Sequence, residues 1–330
     1  MRNIGYCMLV MAGALSGCMT AGGGNRDLDT RGPVRVYSAE DDGSRLARYA
    51  PLFVVEHAEN AYNRIGAPAA RYKADGQEDV YVDASTPTIY VDEQEFETEH
   101  GHYTNLIYRV HFEESPFSFG NFNPSAGKNV GLMTVITIDD AGSPLLINTV
   151  HTCGCYHAVI PTSYLPQDAL PEKWNIDEFA NYGERLPGVV RYPEMFDPAV
   201  RPVLYLRAKT HRVKNLEAGT LAITSAHGDV VTAPLAPMEA LKHLPLGDGE
   251  ETSFYYEEGD KKGLVKGARK PWETALLGAW VQDSRVGQDR EFGSREETGQ
   301  LFYTTLNPNK KEASDMSDYA GFLALNGWRM

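Results

Sequence analysis

Between residues 105 and 160 the chain runs through long extended segments, and these constrain its fold more than anything else in the sequence. Asn105-Leu-Ile-Tyr-Arg-Val-His-Phe112 alternates, with Leu106, Tyr108, Val110 and Phe112 on one face. Asn105, Ile107, Arg109 and His111 fall on the other, which reads as the polar side. Val130 to Ile138 is β-branched and apolar, and Asp139-Asp140-Ala141-Gly142 is turn chemistry. Leu145 to Ile160 is a second long extended run, so the pair reads as a hairpin. Val80-Tyr-Val82, Thr88 to Val91, Val203 to Arg207 and Thr220 to Thr224 add further strands. Helical stretches are short: Glu56 to Ile65, stopped by Gly66-Ala67-Pro68, then Met238 to His243, Trp272 to Val281 and Met316 to Leu325. The expected class is α+β, with a central antiparallel β-sheet or sandwich and peripheral short helices.

Composition narrows the function classes. Hydrophobic residues are 42% and charged residues 23% of 330, an ordinary globular balance that argues against wholesale disorder. A formal net charge of -14 argues against nucleic acid, or an anionic membrane held by charge, as partner. With 4 cysteines the chain is not a disulfide-framework miniprotein. Residues 34–330 read as one large β-rich domain, with a soft boundary near 165–200 where Pro161, Pro166 and Pro171 interrupt the pattern.

The N-terminus reads as an address. Arg2 supplies a positive start, and Ile4 to Leu15 is apolar but too short to span a ~30 Å hydrocarbon core comfortably. The stretch ends in Leu15-Ser16-Gly17-Cys18, which resembles the lipobox of bacterial lipoproteins. That resemblance implies a signal peptide over 1–17, removal of Cys7 with it, and acylation of Cys18 as the first mature residue. The implied partner is the lipid bilayer of the cell envelope, held by several acyl chains. Met19, where enteric lipoproteins retained in the inner membrane carry Asp, implies the outer membrane. Residues 18–33, with Gly22-Gly23-Gly24, read as a flexible tether. No later segment reaches ~18 uninterrupted apolar residues, so no transmembrane helix is expected.

One constellation carries chemistry: His151-Thr152-Cys153-Gly154-Cys155-Tyr156-His157. On a strand, period 2 places His151, Cys153, Cys155 and His157 on one face. Thiolate plus imidazole suits zinc or copper. In a fully extended strand His151 and His157 would stand about 20 Å apart, so one ion could not take all four. A bulge or bend at Gly154 would shorten the span. Without one, a site takes Cys153 and Cys155, one flanking histidine and an outside donor. His111 is the best outside donor, ahead of His102 and His100. A Cys153–Cys155 disulfide competes with this reading, since the periplasmic side is oxidising and so small a ring is strained. A third reading has two buried cysteines filling space, with the histidines hydrogen-bonded.

Weaker signals carry less. Ser125-Ala126-Gly127-Lys128 matches S-x-x-K, but it reads as a loop entering a strand and lacks partner motifs. Asp283 to Glu291 places carboxylates around Gly287 without full EF-hand spacing. Glu56, His57, Asn60 and Asn63 would line a helix face, and Tyr255-Tyr256 and Phe302-Tyr303 could line a groove. Three functions follow: an envelope lipoprotein with a metal-binding or redox-sensitive centre at 151–157, a periplasmic metal- or thiol-dependent enzyme, or a structural or binding protein with structural cysteines.

Overall fold

Residues 26–117, 125–278, 281 and 283–330 are described by the structure, a computed structural model. The signal segment, Cys18 and the start of the tether lie outside these residues. The strands, in chain order, are β1 (Arg35–Ala39), β2 (Leu52–Val55), β3 (Ala67–Tyr72), β4 (Glu78–Asp83), β5 (Ile89–Thr98) and β6 (Gly101–Ser115). They continue as β7 (Gly127–Asp139), β8 (Pro144–His151), β9 (Ala158–Pro161), β10 (Glu178–Asn181), β11 (Glu184–Pro187) and β12 (Val200–Leu206). The last are β13 (Val213–Thr220), β14 (Asp229–Ala233), β15 (Leu235–Pro237), β16 (Leu244–Gly247) and β17 (Glu250–Thr252).

The fold is mostly β, in several open sheets with few, short helices. The largest sheet has the order β15-β5-β6-β7-β8-β9, antiparallel throughout except for the β15–β5 edge. A five-stranded sheet runs β13-β12-β2-β1-β14, with β12–β2 and β1–β14 parallel. The hairpin read from the sequence is β7–β8, and Asp139 closes its turn by accepting the Ser143 amide at 2.7 Å.

Packing explains the long apolar runs. Leu106, Tyr108, Val110, Leu132 and Ile136 from the large sheet meet Tyr37, Phe53, Val55, Leu204 and Leu206 from the smaller one in a single cluster. On the opposite face Ile107, Met133, Val135 and Val150 are covered by Phe302, Met316, Tyr319, Phe322 and Trp328 from the C-terminal segment. All eight residues of β8 are buried. A strand covered on both faces reads as a continuous apolar run rather than an alternation. The expected polar side of β6 is therefore no solvent face: Asn105, Arg109 and His111 are fully buried. Asn105 accepts a 2.7 Å bond from the Thr137 hydroxyl, and Arg109 donates to the Arg290 carbonyl at 2.9 Å. The stretch suspected of a boundary also packs inward: Leu186, Val190 and Tyr192 join the inter-sheet cluster.

Two element assignments are corrected. Glu56 to Ile65 holds no α-helix, only a 3-10 turn at Ala61–Asn63. His57 sits at φ 53, a left-handed conformation that an α-helix cannot contain, and Glu56 is drawn into a buried ion pair. Thr220 to Thr224 is not a strand beyond its first residue. Thr220 ends β13, and its hydroxyl caps the helix Leu221–Thr224. The other expected helices form, shorter than read: a 3-10 helix Met238–Lys242, a helical turn Pro271–Glu273 continued as a π turn Thr274–Gly278, and Tyr319–Leu325.

The end of the expected tether is bound rather than free, because Arg26, Asp27 and Asp29 make specific bonds to the domain. Arg26 donates to the Leu186 carbonyl at 2.9 Å. Lys214, 2% exposed, donates to the Asp27 carbonyl and pairs with Glu56 at 2.7 Å. Glu56 in turn accepts the Asp29 amide at 2.7 Å, and Asp29 reaches His57 at 3.1 Å. Satisfying a buried Lys–Glu pair thus recruits the segment just before β1 as a strap.

Candidate functional site

The 151–157 segment is a turn, and that reverses the expected sharing of one face. β8 ends at His151, and the chain folds back so that the His151 amide donates to the Cys155 carbonyl at 2.9 Å. The Gly154 amide donates to the His151 carbonyl at 2.7 Å. Gly154 has φ +87, and a Cβ there would lie 2.1 Å from the Tyr303 carbonyl oxygen, so only glycine fits. Arg290 splints the turn: its amide donates to the Thr152 carbonyl at 2.9 Å and its guanidinium to the Cys153 carbonyl at 3.0 Å. The same guanidinium stacks 3.8 Å above the Tyr303 ring.

The turn separates the histidines. Leu132 pairs with His151 and with Val110, so His151 lies on the inter-sheet face. His111 pairs with Gly131 and so points to the other face, where its ring packs on Phe254 at 4.9 Å and Tyr90 at 5.7 Å. His157 packs edge-on to Phe322 at 5.0 Å, in the C-terminal cluster. The expected donor set of His151, Cys153, Cys155, His157 and His111 is therefore divided between the two faces. Among the described residues no three His, Cys, Asp or Glu side chains converge as a metal site. Burial holds all three imidazoles below their ordinary pKa, His157 to about 4, with Arg109 adding to the effect at His111 and Lys270 at His151.

The two cysteines do come together. Both are free thiols, and Cys155 is close enough to act on the Cys153 pKa as a hydrogen-bond donor. Cys153 is 3% exposed, whereas Cys155 is partly exposed. Their charged neighbours are distant in sequence. Cys155 donates to Glu273 Oε1 at 3.3 Å, Glu273 is 3% exposed, and its Oε2 is buried with no hydrogen-bond partner among the described residues. Lys270, 1% exposed, lies 2.9 Å from Asp289 Oδ2, and the Thr152 hydroxyl donates to Asp289 Oδ1. Pro271 starts the helical turn that carries Glu273 one turn beyond Lys270. Gly287 makes room for the carboxyl: a Cβ there would lie 2.7 Å from Glu273 Cδ.

Electrostatics makes the two sulfurs unequal. The hydrogen bond from Cys155 lowers the Cys153 pKa and outweighs burial, with the Lys270 ammonium adding to it. The same hydrogen bond, then burial, then the neighbouring Cys153 charge raise Cys155 well above the ordinary thiol value. Burial alone would lower Lys270, but Asp289, Cys153 and Glu273 together raise it well above the ordinary lysine value. The single Cys155 proton thus faces two acceptors, the Cys153 sulfur and Glu273, while Lys270 supplies the cation for a thiolate at Cys153.

A small depression is lined by His151, Tyr156, His211, Lys270 and Ser125 among others, without either cysteine. Tyr156 and Ser125 share a hydrogen bond at 3.2 Å. The Ser125–Lys128 match forms no S-x-x-K pair: Lys128 lies on β7 and is exposed, whereas Lys270 lines the depression. The calcium-like loop is likewise occupied by protein partners, with Asp283 bonded to the Tyr303 hydroxyl at 2.9 Å and to Lys311, and Asp289 to Lys270.

Sequence reading found Cys153 and Cys155 but missed Lys270, Glu273 and Asp289. The one local signal was Pro271, a helix-start residue between Lys270 and Trp272, and nothing in it points to residue 153. No family model, no curated protein and no solved structure matches the chain.

Proposed function

We propose that this chain is a cell-envelope lipoprotein, anchored through acylated Cys18 on the outer membrane, whose folded part carries a dithiol–disulfide centre at Cys153 and Cys155. The observation that carries the redox half is a pair of free thiols on one tight turn, with the Cys155 sulfur 3.3 Å from the buried Glu273 carboxyl and the buried Lys270–Asp289 pair bonded to the same turn through Thr152. The frame is the α+β reading, a mainly antiparallel central sheet packed as a sandwich, which holds the turn rigid. In the oxidising envelope the pair passes two electrons and its protons to an organic disulfide, forming the Cys153–Cys155 bond and releasing two thiols. The anchor half rests on the Leu15-Ser16-Gly17-Cys18 pattern. A thiol-dependent enzyme is the second reading, supported by the depression that Lys270, Tyr156 and His151 line.

Thiol counting on the full chain in detergent tests the redox half. Two reactive thiols are expected in reduced protein, and none after equilibration with oxidised glutathione, with the loss reversed by dithiothreitol. Thiols that persist in oxidised glutathione, or that stay unreactive until the protein unfolds, would leave only the structural-cysteine reading. For the anchor, Cys18→Ala should move the protein from the membrane pellet to the soluble fraction, since no helix among the described residues is long and apolar enough to span a bilayer. A variant that still pellets after a high-salt wash would refute lipid anchoring.

A further inference from the structure

We infer that the centre acts as a disulfide donor to thiols: an incoming thiol attacks Cys155, Cys153 departs, and Glu273 carries the proton. This rests on the dithiol–disulfide reading and assigns its direction, its substrate class and the role of each group.

Three observations carry it. Access differs, because Cys155 is partly exposed and Cys153 is 3% exposed, so a nucleophile from outside meets Cys155 first. Leaving ability differs in the complementary sense. Cys153 is the sulfur whose anion is stabilised, by the Cys155 hydrogen bond and by Lys270, and a more acidic thiol leaves faster. The third is Glu273: one carboxyl oxygen sits 3.3 Å from the sulfur to be attacked, and the other is buried with no hydrogen-bond partner among the described residues. When Cys153 and Cys155 are joined, Cys155 has no proton to give, and Glu273 is left as an unengaged base beside the point of attack.

The steps balance. A substrate thiol gives its proton to Glu273, and its sulfur bonds to Cys155. The Cys153–Cys155 bond breaks, and its electron pair stays on Cys153 as a thiolate facing Lys270. A second substrate thiol loses its proton to water and attacks the substrate sulfur of the mixed disulfide. Cys155 departs and takes the proton from Glu273. The substrate dithiol has lost two electrons and two protons and holds a disulfide. The protein has gained the two electrons and one proton, and one proton is in solvent. Uptake of that solvent proton by Cys153 returns the two free thiols described above, with Cys155 donating to Glu273.

The test oxidises the full chain in detergent, adds reduced glutathione, quenches in acid and maps the mixed disulfide by mass spectrometry. Glutathione is expected on Cys155 alone. Glu273→Gln should slow the reaction at least tenfold near neutral pH. Its rate should then climb about tenfold per pH unit with the glutathione thiolate, where the parent protein shows a flatter profile. Glu273→Asp should restore part of the rate. Glutathione on Cys153, or a Glu273→Gln variant with the parent rate and profile, would overturn this inference while leaving the dithiol reading intact. Failure of the intramolecular disulfide to form with oxidised glutathione would overturn both. The mapping uses the unmodified protein, so its result does not depend on the variants folding.

Discussion

Lys270→Met should lower the unfolding free energy by about 3–5 kcal/mol, the cost of leaving a buried charge without its partner. Lys270 and Asp289 are 1% and 0% exposed, and the ammonium is the cation that Asp289, Glu273 and Cys153 share. Methionine preserves most of the aliphatic stem, so the loss reports charge more than volume. Adding Asp289→Asn to Lys270→Met removes one stranded carboxylate and should recover a large part of the stability. Urea titration followed by tryptophan fluorescence measures both. A single variant within about 1 kcal/mol of the parent protein would show, on the scale of a modest surface pair, that the ion pair is not needed to hold the turn. The same variant should raise the Cys153 pKa, because the ammonium that helps to lower it is gone.

Lys214→Met should cost about 3 kcal/mol, the lower end for breaking a buried pair, because Glu56 keeps two backbone donors. Those donors are the Asp29 amide at 2.7 Å and the Ala208 amide at 3.3 Å. The more distinctive effect is on the strap. Without the ammonium the Asp27 carbonyl loses the Lys214 bond, and trypsin should cut after Arg26 and Arg31 many times faster than in the parent. Unchanged cleavage would mean that other contacts hold the segment. pH tests the same strap through His57, whose pKa is raised by hydrogen bonds to Asp29 first and Glu59 second. A raised folded-state value means that the contribution is complete below the ordinary histidine value of about 6.5 and is lost as pH rises through the folded one. Cleavage of the strap should therefore accelerate across that window. In His57→Asn, where asparagine tolerates the left-handed backbone, it should not.

The expectations that held share a physical cause. Strand content in 101–151 was legible because β-branched and aromatic runs bounded by Asp-Asp-Ala-Gly have few other ways to bury themselves. The closeness of Cys153 and Cys155 was legible because two residues apart they cannot be far apart in any conformation. Met316 to Leu325 was legible as helix, and Asp318 caps its observed start. The failures share a cause too. Period-2 reasoning across 151–157 assumes a continuous strand, and one glycine at φ +87 ends it, sending His151 and His157 to opposite faces of the sheet. The polar side of β6 reads as a solvent face because alternation cannot show that a segment some 200 residues later will cover it.

The local chemistry of this protein follows from residue type and spacing: a thiol pair next to a glycine, the extended runs that carry it, an acidic composition and a cysteine at a lipobox-like site. All of these are short-range properties. What the thiols face is a property of the tertiary fold. Lys270, Glu273 and Asp289 lie more than a hundred residues beyond Cys153, and no spacing rule connects them. They meet because the chain after β17 crosses the end of β8, where Arg290 binds the turn's carbonyls and the buried charges of Lys270 and Asp289 satisfy one another. Burial is what gives that meeting its chemistry, since in a low-dielectric setting the Cys155 hydrogen bond and the Lys270 ammonium lower the Cys153 pKa, while the same hydrogen bond and burial raise that of Cys155.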